Sequence, residues 1–465
     1  MATLGPASRS SIADLIRAGV DVFRLNCAHA TVGELRAMVR DVRRAARDAA
    51  APVGILADLQ GPKIRTGRLQ GGGPILVKRG EEVLIDTRPG TAGRQGRPTR
   101  IGTSYRRLCR DVRPHDRVLL DDGVMELRVL AVEGPVVRTR VVYGGVLHEF
   151  KGINLPGSPI SARGLSRRDL EDLAAVCEAG VDFVAMSFVR SAGDIRSLRE
   201  RANRLGCSPW IVAKIERPEA VADLSAILDE ADALMVARGD LGVEIGAAAV
   251  PPVQKKVIRA CVLARKPVIT ATQMLESMVA NPRPTRAEAS DVANAIYDGT
   301  SAVMLSAETA TGRYPVRAVR TMERIARAAE ADLYGGGRGP LLAEPSDSVA
   351  VSTVRAAVRA AEESRADLIA VYTETGRTAN LLAAERPPTR VVALSPSPET
   401  VRRMCLTFGV LPLRIPSCRS AGAMIRSGDR ILRERGLVRA GERIVQVAGT
   451  FRQAGLTNSL CIRDL

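Results

Sequence analysis

Short apolar runs recur along the chain, each followed by polar residues and then by a stretch with helical spacing. The runs cover residues 20–25, 53–57, 181–186, 210–213, 233–237, 267–269 and 301–305. Helical segments such as 166–179 and 250–264 lie between them. Ser166 is a good N-cap residue, and Asp169 and Glu171 place acids in the first turn. This strand–helix alternation predicts a parallel sheet with crossover helices. With the stub Ala2-Thr-Leu4 the strands number eight, which predicts an α/β fold, a (β/α)8 TIM barrel. An open doubly wound sheet could hold the same strands, so the polar residues decide between them. Arg24, Asn26, Asp58, Ser187, Lys214, Glu216, Asp240, Thr272, Ser306 and Glu308 fall at C-terminal strand ends. A barrel gathers such ends around one mouth, whereas an open sheet spreads them along an edge.

The rhythm breaks over residues 62–157, which read as short β segments at 75–77, 83–85, 117–120, 125–132 and 136–142 between Gly and Pro turns. An all-β insertion after the third barrel strand sits over the mouth and suits a lid. The predicted organisation is barrel at 1–61, lid at 62–157 and barrel again at 158–331. A Gly-rich linker at 334–340 leads to a C-terminal α/β domain at 341–465. That domain is expected to hold helices near 346–364, 377–385 and 398–408 and strands at 368–372, 390–394 and 443–447.

Composition adds one oddity. The chain has 465 residues, 46% hydrophobic and 26% charged, as in an ordinary multidomain globular protein, but its formal net charge is +17. A basic chain raises the question of nucleic acid. Only seven of the 68 cations are lysine (Lys63, Lys78, Lys151, Lys214, Lys255, Lys256, Lys266), and the arginines are scattered. Aromatics are 3%, too few for base-stacking platforms. No nucleic-acid partner is expected. The eight cysteines are far apart and form no CxxC, so no disulfide framework is expected. The start, Met-Ala-Thr-Leu-Gly-Pro-Ala-Ser8, is no signal peptide, and no apolar run approaches about 18 residues, so a cytoplasmic protein with no membrane partner is expected.

The strand ends carry the chemistry. Lys214 and Glu216 are two apart on a strand and share a face. They form either a structural ion pair or part of a site. Asp240 ends the next strand, and two carboxylates one strand apart suit Mg2+, which prefers oxygen and keeps waters. A lysine beside such a metal suits a phosphorylated substrate or an enolate. Gly239 allows close backbone approach to a substrate carboxylate. Thr272 ends the following strand, either as a proton relay or as a helix cap. Arg24 and Asn26 share a face of the second strand and add an anion-binding guanidinium, and Asp58 ends the third.

Several long motifs then occur in one order: Ala2-Thr-Leu-Gly-Pro-Ala-Ser8, Arg24-Leu-Asn26, Asp58-Leu-Gln-Gly-Pro-Lys-Ile-Arg65, Lys151-Gly-Ile-Asn-Leu-Pro-Gly157, Lys214-Ile-Glu216, Ala237-Arg-Gly-Asp-Leu-Gly242, Thr270-Ala-Thr-Gln-Met-Leu-Glu-Ser-Met278 and Met304-Leu-Ser-Ala-Glu-Thr309. Together they resemble the pyruvate kinases, and the resemblance spans the whole chain. It implies phosphoryl transfer from phosphoenolpyruvate to ADP, giving pyruvate and ATP. It further implies that Glu216 and Asp240 bind Mg2+ (or Mn2+). Lys214, Arg24 and Thr272 would act in catalysis and hold substrate together with Gly239 and Asp240. Asn26, His29, Arg65 and Lys151 would face the nucleotide. A homotetramer is also implied. A lyase or mutase acting on the same enolate without ADP is the alternative, against which the lid motifs argue. A basic nucleic-acid-binding or catalytically silent protein is another, and it would make the site ornamental.

The chain departs from the family pattern at the monovalent-cation site. Asn26 and Asp58 remain, but Ala28 and Leu59 stand where potassium-dependent members have Ser and Thr, and Lys63 stands where they have Glu. Activity without K+ is therefore expected, with Lys63 placing an ammonium near the missing ion or lying exposed at the lid hinge. The first barrel strand is a stub where the family has a longer one. Either the true start lies upstream or the barrel tolerates a short strand at some cost in stability. In the C-terminal domain Thr373, Thr375, Gly376, Arg377 and Thr378 lie between a strand and a helix. They form a plain capped turn or a site for a phosphorylated effector.

Overall fold

The computed structural model describes residues 1–158, 164–335, 346–449 and 457–465. Among them, eight parallel strands form one sheet in chain order: β1 (Ala2–Leu4), β2 (Val22–Asn26), β3 (Gly54–Leu59), β4 (Phe183–Met186), β5 (Trp210–Ile215), β6 (Ala233–Ala237), β7 (Val268–Ala271) and β8 (Ala302–Val303). The two edges then meet. Thr3 N–H donates to Leu305 O and Leu305 N–H donates to Met1 O, each at 3.0 Å. The sheet is closed, as the strand-end residues predicted. The three residues of β1 pair with 23–25 of β2 on one side and reach Leu305 on the other.

Period-2 geometry places the site. Val22, Leu56, Phe183, Ala185, Val212, Met235 and Ile269 pack together with Leu406, which comes from the C-terminal part of the chain. Arg24, Asp58, Ser187 and Lys214 each follow one of these by two residues, so they share its face further up the strand. Each strand is thus apolar at the base and polar at the mouth on the same face. Its other face, with Phe23, Leu25, Ile55, Ala57 and Val184, packs into the main core. Burial on both faces is why the strands read as unbroken apolar runs.

Between β3 and β4 lies a six-stranded sheet ordered Ile153–Asn154, Arg117–Leu120, Met125–Glu133, Val136–Tyr143, Glu82–Asp86 and Thr99–Gly102, with a two-stranded sheet of Gly145–Leu147 and Ile75–Val77. It has its own core, including Ile85, Ile101, Leu120 and Met125. Three of these strands (99–102, 145–147 and 153–154) were not expected. They are too short to show alternation, and their pairing partners define them. A short helix, Leu108–Asp111, also interrupts what was read as all-β.

The C-terminal sheet runs Val410–Arg414, Arg390–Ser395, Leu368–Tyr372, Arg443–Ala448, Ser459–Asp464, the last antiparallel. Both edge strands and the helix Ala421–Glu434 were missed. Pro412 argues against a strand in sequence, yet at a sheet edge proline is tolerated. The Gly-rich linker lies outside the described residues from 336 on.

One expectation is corrected. Cys177 and Cys207 are joined in a disulfide. Cys177 lies in helix α1 (Arg167–Ala179), and Cys207 lies just after helix α2 (Ala192–Arg204). The two are 30 residues apart in sequence, so spacing gave no sign of the pairing. Adjacent barrel helices bring their Cα atoms to 5.7 Å.

Candidate active site

Lys214 is the hub of the mouth. Its Nζ lies 2.8 Å from Glu216 Oε1 and 3.3 Å from Asp58 Oδ1, and it donates to Ser187 Oγ at 2.8 Å. Burial alone would depress this ammonium, but the Asp58 and Glu216 carboxylates outweigh burial and hold it above the usual lysine range. Asp58 is shared. Arg24 Nε donates to its Oδ2 at 2.8 Å, and a second Arg24 nitrogen lies at 2.7 Å. Burial pushes the Asp58 carboxyl up, and the Lys214 and Arg24 charges together pull it below its ordinary value. Arg24 also donates to Thr3 Oγ1 at 3.1 Å, which ties β1 to the site.

Glu216 has a different environment. Phe188 N–H donates to its Oε2 at 2.7 Å. Oε1 is buried, and the Lys214 ammonium at 2.8 Å is the group it faces. Burial chiefly raises the Glu216 pKa; Lys214 opposes this and the Asp240 charge adds to it. A buried carboxylate oxygen with spare lone pairs, repelled by a second carboxylate, fits a hard divalent cation. Among the described residues no three His, Cys, Asp or Glu side chains converge to hold an ion. A cation on Glu216 and Asp240 would therefore complete its shell with water and ligand oxygens, the habit of Mg2+.

Asp240 sits in the first turn of helix α3 (Arg238–Ile245), which starts directly after β6. Beside it, Gly239 N–H donates to Thr272 Oγ1 at 2.8 Å, and Thr272 Oγ1 donates to Ala271 O at 2.7 Å. The Thr272 hydroxyl thus accepts from the first turn of α3 and not from a helix that follows Thr272. The Thr272 backbone is left-handed (φ 67°), as is that of Gln273 (φ 53°). Arg238 holds this turn: it donates to Thr272 O at 2.7 Å and pairs with Asp291 at 2.7 Å.

The lid-side residues lie across a cleft of about 1230 Å³ whose lining includes Lys63, Asp122, Arg238, Gly239 and Asp240. Lys151 Nζ pairs with Asp121 at 2.9 Å, and Lys63 Nζ lies 3.9 Å from Asp122. Arg65 donates to Phe150 O at 3.1 Å. His29 has its pKa lowered by burial and then by the Arg65, Arg24 and Lys63 charges, which places these cations around it. Asn26 Oδ1 accepts from Ala28 N–H at 3.2 Å.

The structure thus brings Arg24, Asp58, Lys214 and Glu216 into contact, with Asp240 in the first turn of α3 and Thr272 just after β7. The Thr373–Thr378 loop belongs to the C-terminal sheet instead. There Thr373 Oγ1 accepts from Gly376 N–H at 2.9 Å and Thr375 Oγ1 from Arg377 N–H at 3.4 Å, the bonds of a capped turn. Sequence reasoning gave no role to Ser187, Arg238 or the Phe188 N–H. Ser187 stood out only as a strand-end residue, and Arg238 only as a neighbour of Gly239 and Asp240.

A closed barrel with a lid and a mouth of paired carboxylates, lysine and arginine defines a barrel enzyme acting on anionic substrates, of the phosphotransferase type. "Pyruvate kinase, barrel domain" matches residues 1–319, and "Pyruvate kinase, alpha/beta domain" matches residues 351–463. The Mycobacterium intracellulare protein named pyruvate kinase is 44% identical over 449 residues, covering 96% of this chain and 93% of its own length. That of Agrobacterium vitis is 40% identical over 469 residues, covering 99% and 96%. That of Bacillus licheniformis is 40% identical over 465 residues, covering 98% and 78%. The chain belongs to the pyruvate kinase family, enzymes that move a phosphoryl group from phosphoenolpyruvate to ADP in glycolysis.

Proposed function

We propose that the Lys214 cluster carries out this phosphoryl transfer at the barrel mouth. The observation that carries the reading is a buried, protonated lysine held between Asp58, Glu216 and Ser187, with Arg24 on the far side of Asp58. Phosphoryl transfer needs positioning and charge neutralisation more than covalent chemistry. Lys214 and Arg24 neutralise the phosphoryl oxygens in flight. Gly239 N–H, released from Thr272 Oγ1, binds the substrate carboxylate together with the Asp240 backbone. The Thr272 hydroxyl lies beside the carbon that must gain a proton when the enolate becomes pyruvate. Glu216 and Asp240 would hold Mg2+, which when bound supplies further positive charge to the phosphate oxygens. Asn26, His29, Arg65 and Lys151 take the nucleotide side, the last two on the segments that join the lid, residues 62–157, to the barrel.

Lys214→Met is expected to lower kcat by roughly 10²–10³-fold or more while the thermal transition persists. Near-normal turnover of phosphoenolpyruvate and ADP by that variant would refute the role. Activity is further expected to need no K+. Ala28 and Leu59 offer no side-chain oxygen, Asp58 already faces two cations, and Lys63 adds charge near His29. Rates in tetramethylammonium and potassium salts should agree; a many-fold rise with K+ would overturn this. The same reading extends to a cytoplasmic homotetramer with a phosphorylated effector at Thr373–Thr378. Light scattering and an effector panel test these two points. Among the described residues no helix is long and apolar enough to cross a membrane.

A further inference from the structure

Two chain segments connect the lid to the barrel. They run side by side: Ile153 N–H donates to Ile64 O at 2.9 Å, and Thr66 N–H donates to Lys151 O at 2.8 Å. Each is tied to a buried carboxylate on a barrel helix. Gly61 N–H, on the outgoing segment, donates to Asp169 Oδ1 of α1 at 3.0 Å. Asn154 Nδ2, on the returning segment, donates to Glu244 Oε1 of α3 at 3.1 Å, buried from solvent.

The second tie lies next to the Glu216–Asp240 pair. Glu244 lies one helical turn after Asp240 in α3. Its Oε1 is also 3.7 Å from Arg217, the residue after Glu216. Its Oε2 is buried without a hydrogen-bond partner. Glu244 and Asn154 line a small crevice of about 30 Å³ with Lys63, Arg217 and Phe188, and Phe188 N–H binds Glu216. A single carboxylate therefore meets the returning lid strand, the helix bearing Asp240 and the loop after Glu216.

We propose that Glu244, through Asn154 and Arg217, is a positioning residue that sets the lid's orientation relative to the Glu216–Asp240 pair. Arg65 and Lys151 ride on the same two segments, so the tie keeps the nucleotide-side cations in register with the phosphoryl-binding mouth. Nothing in this arrangement touches the reacting atoms. Its effect belongs to nucleotide binding and not to the enolate half of the reaction. The inference rests on the phosphoryl-transfer reading above.

The test is steady-state kinetics of the full chain with Mg2+, phosphoenolpyruvate and ADP varied in turn. Asn154→Ala is expected to raise KM for ADP roughly tenfold, the scale of one hydrogen bond to a charged group, with KM for phosphoenolpyruvate within about twofold of wild type. Should that variant not fold, Asn154→Ser takes its place. The exchanged pair Asn154→Asp with Glu244→Gln keeps the net charge and reverses the donor, so it is expected to recover the ADP affinity that Glu244→Gln or Asn154→Asp alone loses. Recovery supports the tie. An unmoved KM for ADP, equal losses for both substrates, or no recovery in the exchanged pair overturns it. Absence of turnover in the wild-type chain would instead sink the enzymatic reading itself.

Discussion

Asp58 shows what one buried residue contributes. It is 2% exposed and faces two cations. Its pKa is lowered from 3.8, because Lys214 and Arg24 outweigh the effect of burial. A depressed carboxylate gives stability that is complete above its unfolded pKa and is lost as pH falls through the lower folded value. Lys214 is the mirror case. Its pKa is raised, so its contribution is complete below 10.5 and fades only at still more alkaline pH. The cluster is therefore intact across neutral conditions. Asp58→Asn should cost about 3–5 kcal/mol near pH 7, since it leaves two cations facing a neutral amide. Melting measured against pH should show the gap to wild type closing below pH 3.8; a gap that stays constant into acid would contradict the pairing. Residue types at this site were legible in sequence because strand spacing of two puts Arg24 with Asn26 and Lys214 with Glu216 on one face. The sharing of Asp58 by two cations from different strands was not, because it depends on β2 lying beside β3 on one side and β5 lying beyond β4 on the other.

The elements divide in the same way. The seven strands after the stub and helices such as 250–264 announced themselves through long apolar or amphipathic patterns. Short lid strands and the edge strand with Pro412 did not, since pairing rather than local preference creates them. The Cys177–Cys207 bridge belongs here too. It links α1 to the end of α2, and α1 supplies Asp169 to the lid hinge. Closing a 30-residue loop is worth about 3–4 kcal/mol in the chain-entropy view. A reducing agent should lower the melting temperature of the wild-type chain by several degrees and leave Cys177→Ser unaffected. Identical melting with and without reductant would show that the bridge does not form.

For the whole molecule the deciding event is closure of the barrel. The seam between β1 and residues 305–310 is tight: a Cβ added at Gly5 would come within 2.5 Å of Ala310 O and 2.8 Å of its Cα. Backbone atoms on both sides leave little room to yield. Gly5→Ala should cost about 1–3 kcal/mol and speed hydrogen exchange at Thr3 and Leu305, whose N–H groups make the closing bonds. Unchanged exchange there would show that the seam can relax. The net charge of +17 takes on a more modest meaning at this scale. Surface arginines paired with acids, such as Arg36 with Glu178 and Arg196 with Glu230, add nothing to it, and the excess is arginine scattered along the chain. The cations proposed to act on substrate and nucleotide lie at strand ends and on the two segments that join lid to barrel. The sequence by itself determined the family, the barrel and the residue types at its mouth, because periodicity and motif order are properties of the chain. Only the tertiary structure decided the Cys177–Cys207 pairing, the Asp58 hub and the Glu244–Asn154 tie. Each joins segments distant in sequence, and only the packing of closed barrel and lid brings them within bonding distance.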